Sequence, residues 1–139
     1  MLDTAVVVAA MRSPSGASAA ILRAARGERV TLLMSVALAL EYEAVCSKAE
    51  YRLASGLSDR EVDTFLSAVI ALAEPVVPHF LWRAQLRDSG DEMVLEAAVN
   101  GRADGIVTFN LRDFVRSTHQ FGIAVLSPGE AVTRLEKET

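Results

Sequence analysis

Short apolar runs, several of them rich in β-branched residues, recur along this chain, and between them lie longer stretches whose apolar residues repeat at helical spacing. That alternation constrains the fold more than any other feature. LDTAVVVAA, from Leu2 to Ala10, reads as a buried strand, VTLLMS (30–35) as a second, DGIVTFN (104–110) as a further one and IAVLS (123–127) as the last. PVVPHF is broken by prolines and makes a short or edge strand at best. SPSG (13–16) is a turn, and ASAAILRAARGE after it is helical. VALALEYEAVCSKAEYRLAS reads as one long helix. SDREVDTFLSAVIALAE (58–74) is another, opened by the capping pair Ser58 and Glu61. DEMVLEAAVNGR stops near Asn100-Gly101, and Ser127-Pro128-Gly129-Glu130 starts the final helix. Strands separated by helices imply an α/β fold: a three-layer α/β/α sandwich around a mainly parallel central sheet. In such sheets ligands gather at the carboxyl ends of the strands.

Length and composition fit one domain over residues 1–139, with an apolar half large enough for a core. A lone cysteine, Cys46, rules out a disulfide within the chain and suits a reducing cytoplasm. Mid-helix beside Val45, it reads as a buried structural thiol. The longest near-apolar stretch, Val30 to Leu40, is about half of the ~20 residues of a membrane span. Asp3 precedes any Lys or Arg, unlike a signal peptide. The expectation is a soluble cytoplasmic protein with no membrane partner. A net charge of −4 gives a weak unaided grip on nucleic acid, unless bound divalent cations reverse the local field. Neither a Walker-type nor a dinucleotide-binding glycine motif occurs.

The acids are therefore the informative residues. Asp3 interrupts the first apolar run. Glu41 and Glu43 lie early in the helix after the second strand, two apart and so on different faces. Asp91 and Glu92 begin the helix ahead of DGIVTFN, and Asn110 and Asp113 close that strand. If the strands are parallel neighbours, these positions converge at one sheet edge. Several carboxylates in contact need a compensating cation, and an oxygen-only set suits Mg²⁺ or Mn²⁺. Each acid also has a plainer reading. Glu92 has capping-box spacing to Ser89, Asp91 suits a helix N-terminus, and Asn110 can cap a helix with Asp113 in its first turn. Glu41 and Glu43 can be solvated. His79 and His119 are isolated, and Trp82 with Phe80 and Leu81 reads as packing.

The strings L-D-T, S-V-A-L-A-L-E-Y-E-A-V, D-E-M-V-L-E-A-A-V-N-G-R-A-D-G-I-V-T-F-N-L-R-D-F and L-S-P-G-E resemble a PIN-domain protein, and more narrowly the toxin-like, VapC-related members of bacterial toxin–antitoxin systems. The resemblance runs from Leu2 to about Ala131, and 87–114 is its most specific part. It implies a three-layer α/β/α sandwich whose acids bind Mg²⁺ or Mn²⁺ and hydrolyse RNA. By motif, Asp3 matches the first acid and Glu41 the second, six residues after Ser35. Glu92, sixteen residues before Thr108, matches the third, with Asp91 beside it. Asn110 and Asp113 match the last polar positions. The implied catalytic set is Asp3, Glu41, Glu92 and Asp113, with Asp91 and Asn110 as further metal ligands. Arg87, Arg112 and Arg116 flank the site and suit RNA phosphates.

This chain departs from the pattern in four ways. Ala5 stands where the family usually has asparagine. Gly90 stands where an acid is usual, and Asn110 is neutral where aspartate is common. Only two residues precede Asp3, so the first strand is short, continues onward through Val6–Val8, or starts upstream of the given sequence. These losses motivate a second expectation, a catalytically degenerate PIN fold that binds RNA or a partner. A phosphatase or receiver-like domain built on Asp3 ranks lower, because LDTAV lacks a second aspartate two residues on. The toxin resemblance further implies a cognate antitoxin and a homodimer.

Overall fold

The computed structural model describes residues 1–77, 89–118 and 121–138, and side chains at all of these except 89 and 115–117. His79, Phe80, Leu81, Trp82, Arg87, Asp88 and His119 lie outside the described residues, as does the side chain of Arg116. The elements run α1 (Thr4–Arg12), α2 (Ala17–Arg26), β1 (Leu32–Met34), α3 (Val36–Cys46), α4 (Ala49–Ser55), α5 (Asp59–Leu72), β2 (Ala73–Pro75), α6 (Ser89–Asn100), β3 (Gly105–Val107), α7 (Leu111–Thr118), β4 (Ala124–Leu126) and α8 (Pro128–Lys137). The fold is α/β, and both strand pairings are parallel.

The strands form two separate pairs, β1 with β2 and β3 with β4. Leu2 adds a parallel bridge to Val107 on the free side of β3. A single central sheet, as the alternating pattern predicts, is thus not formed among the described residues. β2 also ends at Pro75, earlier than PVVPHF suggests.

The first apolar run is the main correction. Extended backbone ends at Asp3 (φ −65°, ψ 149°), whose carbonyl accepts from Val6 N at 3.0 Å and starts α1. Val6, Val7 and Val8 are helical, so the strand does not continue through them. All three are buried, because α1 packs against α2, α3 and α4. A helix buried on most sides has no polar stripe, and its sequence then looks like that of a buried strand. The long helix predicted over 36–55 is two helices. Backbone N–H groups of Ser47 and Lys48 turn back onto Glu43 and Val45, and α4 restarts after Lys48.

Local signals elsewhere hold. Ser58 and Glu61 form a reciprocal capping box on α5, and Ser127 and Glu130 form one on α8 behind Pro128. Hydrogen bonds from the capping serines hold both glutamates below the usual carboxylate range. Gly101 follows the last residue of α6 at a place where a side chain would force its neighbours to shift. A Cβ there would stand 2.8 Å from Val76 Cγ2 and 3.2 Å from Leu33 Cδ1. Buried side chains from α1, β1, α3, α5, α6, β3 and α7 form one continuous cluster. Among the described residues no single helix is long and apolar enough to cross a membrane. α1 and α2 reach that length together only across a 96° bend.

Candidate active site

Asp3 is the anchor. It is 6 % exposed, at the end of the short extended segment that pairs with β3. Its N–H donates to the Val107 carbonyl at 2.9 Å. Thr108, fully buried just past β3, donates its hydroxyl to Asp3 Oδ2 at 2.7 Å. The Thr108 hydroxyl oxygen in turn accepts from the N–H of Asn110 at 3.0 Å. A polarised relay, Asn110 N–H to Thr108 hydroxyl to Asp3 carboxylate, therefore ties the first acid to the last polar position of the motif. Burying a carboxylate without such a donor would be costly.

A second group was not foreseen as part of this corner. Tyr42 is buried, and its hydroxyl donates to the carbonyl of Leu2, the residue before the acid. Burial raises its pKa well above that of a free phenol, and the charges of Asp3 and Cys46 add to the effect. The phenol is thus held neutral as a donor. Thr108 and Tyr42 could have been found only indirectly: one is the polar residue that ends an apolar strand, the other the aromatic neighbour of Glu41.

The remaining acids surround this corner on three helices. Glu41 shares the inward side of α3 with Leu38, three residues earlier, and is half-buried, whereas Glu43 is exposed. Asp91 and Glu92 lie in the first turn of α6, each half-buried and three residues ahead of fully buried Val94 and Leu95. Asp91, Glu92 and Gly90 each make an interaction within the protein. Asn110 sits at the entrance to α7, and its carbonyl accepts from Asp113 N at 3.1 Å. Buried Phe114 fixes that first turn, while Asp113 and Arg112 are exposed. Exposed Phe109 (54 %) stands between Thr108 and Asn110. α6 packs against both α3 and α7, so the three helices that carry these acids are neighbours.

The donor types suit a hard divalent cation, since every candidate offers oxygen and Asp3 is buried and oriented by a hydroxyl. The assembly is less complete than the motif implies. Among the described residues, no group of three Asp, Glu, His or Cys side chains stands close enough to hold a metal ion. The structure therefore joins Asp3 to Thr108 and Asn110, and it does not draw Glu41, Asp91, Glu92 and Asp113 into one cluster with it.

No curated protein and no solved structure matches the chain significantly. The PIN-domain family model matches residues 1–112, well over half of the chain. The match takes in Asp3, Thr108 and Asn110, whose side chains and backbone form the relay described above. By that match the chain belongs to the PIN-domain family.

Proposed function

We propose that this chain is a single-domain, metal-dependent endoribonuclease and the toxin component of a bacterial toxin–antitoxin system, acting in the cytoplasm. PIN domains are in general metal-dependent nucleases that act on RNA. The observation that carries the reading is the buried Asp3 carboxylate, held at a strand's carboxyl end by the Thr108 hydroxyl. Asp3, Glu41, Glu92 and Asp113, with Asp91 and Asn110, would hold Mg²⁺ or Mn²⁺. When bound, such a cation supplies an acidified water and neutralises charge on the scissile phosphate. The chain's own part is to orient and to bind. Thr108 and Asn110 fix the first carboxylate. Tyr42 pins the backbone ahead of it. Exposed Arg112 meets phosphate, and exposed Phe109 offers a ring face to an unstacked base. Single-stranded or looped RNA fits best, because its bases can be splayed out.

The homodimer and the antitoxin contact belong to the same proposal. Val36 and Leu40, four apart on α3, are 76 % and 61 % exposed, and Leu53 on α4 is 70 % exposed. This is an apolar surface of the kind a partner covers.

The test is cleavage of single-stranded RNA by the purified chain with Mn²⁺ or Mg²⁺. Cutting is expected, and Asp3→Asn and Glu92→Gln should each abolish it. Uncut RNA, or an unchanged rate in Asp3→Asn, would refute the reading. A second reading is a PIN fold that binds RNA or a partner without cutting. It is favoured by the lack of a three-acid group among the described residues. Calorimetry separates the two: a carboxylate-dependent Mn²⁺ site supports the nuclease, and RNA binding with no Mn²⁺ site supports the binding module.

A further inference from the structure

Phe109 is the most exposed aromatic side chain among the described residues. Its backbone is nevertheless held on both sides. Thr108 before it is fully buried, and the Thr108 N–H donates to the Leu126 carbonyl at 2.9 Å. The Asn110 N–H after it returns to the Thr108 hydroxyl, which closes a tight turn with Phe109 at its tip. Asp113 N bonds back to the Asn110 carbonyl, and fully buried Phe114 anchors the start of α7 in the core. The Phe109 ring itself is left out of the hydrophobic cluster. An exposed ring on fixed backbone loses little conformational freedom when something covers it. Its exposed neighbours in sequence, Asn110, Arg112 and Asp113, are all polar. A protein partner meets a contiguous apolar patch, whereas one ring amid polar side chains suits a single planar group. Arg112, three residues on, makes no ion pair among the described residues.

We propose that Phe109 sets the base preference of this site. Its ring stacks on the base next to the scissile phosphate, Arg112 holds a phosphate of the same strand, and a purine is preferred over a pyrimidine at that position. The inference rests on RNA as the ligand of the site, which the cutting and the non-cutting readings share. Position follows from the chain. Phe109 comes directly after Thr108, whose hydroxyl stands 2.7 Å from Asp3 Oδ2. Consecutive Cα atoms are ~3.8 Å apart, so the ring leaves the backbone one residue from the group that orients the acid. A phosphate brought to Asp3 thus carries its own base toward the ring. A phenyl ring has no hydrogen-bonding group and cannot read base edges. It discriminates only by the π-face it covers, which is larger for the two fused rings of a purine. A guanidinium on phosphate carries no sequence information. The two side chains therefore divide the work: Phe109 supplies preference, and Arg112 supplies affinity common to all sequences.

The test reads binding, not cutting. Fluorescein-labelled oligouridine strands that carry A, G, C or U at one central position are titrated with the protein by fluorescence anisotropy, in EDTA and again in Ca²⁺. The wild type should bind the A and G strands several-fold more tightly than the C and U strands. Phe109→Leu keeps apolar bulk and removes the ring. It should weaken the purine strands by about tenfold and bring all four to nearly equal affinity, with Tm unchanged because the ring is exposed. Phe109→Trp should restore the purine preference or enlarge it. Arg112→Ala should weaken all four strands alike and lower the slope of log affinity against log salt by about one. A purine preference that survives Phe109→Leu overturns this inference alone, as does a wild type that ranks the four strands equally. A salt slope unchanged by Arg112→Ala overturns the pairing of ring with phosphate contact. Absence of binding to every strand in both conditions refutes RNA as the ligand, and this inference with it.

Discussion

Removing the Thr108 hydroxyl probes the relay directly. Thr108→Val keeps the side-chain shape and deletes the donor to Asp3 Oδ2 at 2.7 Å. A hydrogen bond to a charged group contributes ~1.5–3 kcal/mol net, and here both partners are buried, so water does not replace it easily. The Asn110 N–H also loses its acceptor, but Asn110 is exposed and solvent can satisfy it. The expected cost is therefore ~2 kcal/mol, or a Tm lower by about 6–10 °C for a chain of this size. Urea unfolding of the wild type, Thr108→Val, Asp3→Asn and the double variant closes a cycle. If the hydroxyl acts through Asp3, the cycle should show a coupling of at least ~1 kcal/mol. A Thr108→Val loss below ~0.5 kcal/mol, or strict additivity with Asp3→Asn, would refute the relay.

Gly101→Ala places a methyl group against Val76 and Leu33 and should destabilise the protein by ~1–3 kcal/mol, measured by the same unfolding assay. The fully buried Cys46 thiol, pushed by burial up to about 11, should resist alkylation in the native protein and react at the rate at which the chain opens. Desolvation lowers the Met1 amine from 8.0 to about 6, against a smaller opposing pull from Asp104. The unfolded chain then binds the proton first, so stability is greatest above pH 8 and falls by roughly 2–3 kcal/mol as pH drops through 6. Nα-acetylation should flatten that slope. Glu61 and Glu130, held below the usual carboxylate pKa of 4.5 by their capping serines, contribute helix stability that is present above that pH. It is lost as they protonate in acid, which amide exchange at the starts of α5 and α8 should detect.

The parts of the fold legible in the sequence are those whose cause is local. Ser58 and Glu61, or Ser127, Pro128 and Glu130, define a helix start within four residues, and both starts stand where the pattern puts them. LDTAVVVAA misleads because its geometry is decided by distant helices. The valine run is enclosed by α2, α3 and α4, and enclosure erases the periodicity that separates helix from strand. The break at Ser47 and Lys48 carries no glycine or proline to announce it. At the site, Glu41 against Glu43 could be argued from helix faces. The Thr108–Asp3 contact spans 105 positions and leaves no local trace.

That separation sets a timetable. Synthesis proceeds at roughly 5–20 residues per second, so Thr108 is made ~5–20 s after Asp3. Throughout that interval the N-terminal acid has neither its hydroxyl donor nor the β3 edge that seats it. The relay cannot assemble on the growing chain until the 105 positions from Asp3 to Thr108 have been made. A protein made in the middle of the cell's most concentrated RNA machinery thus carries an unfinished centre until Thr108 and β3 have been made.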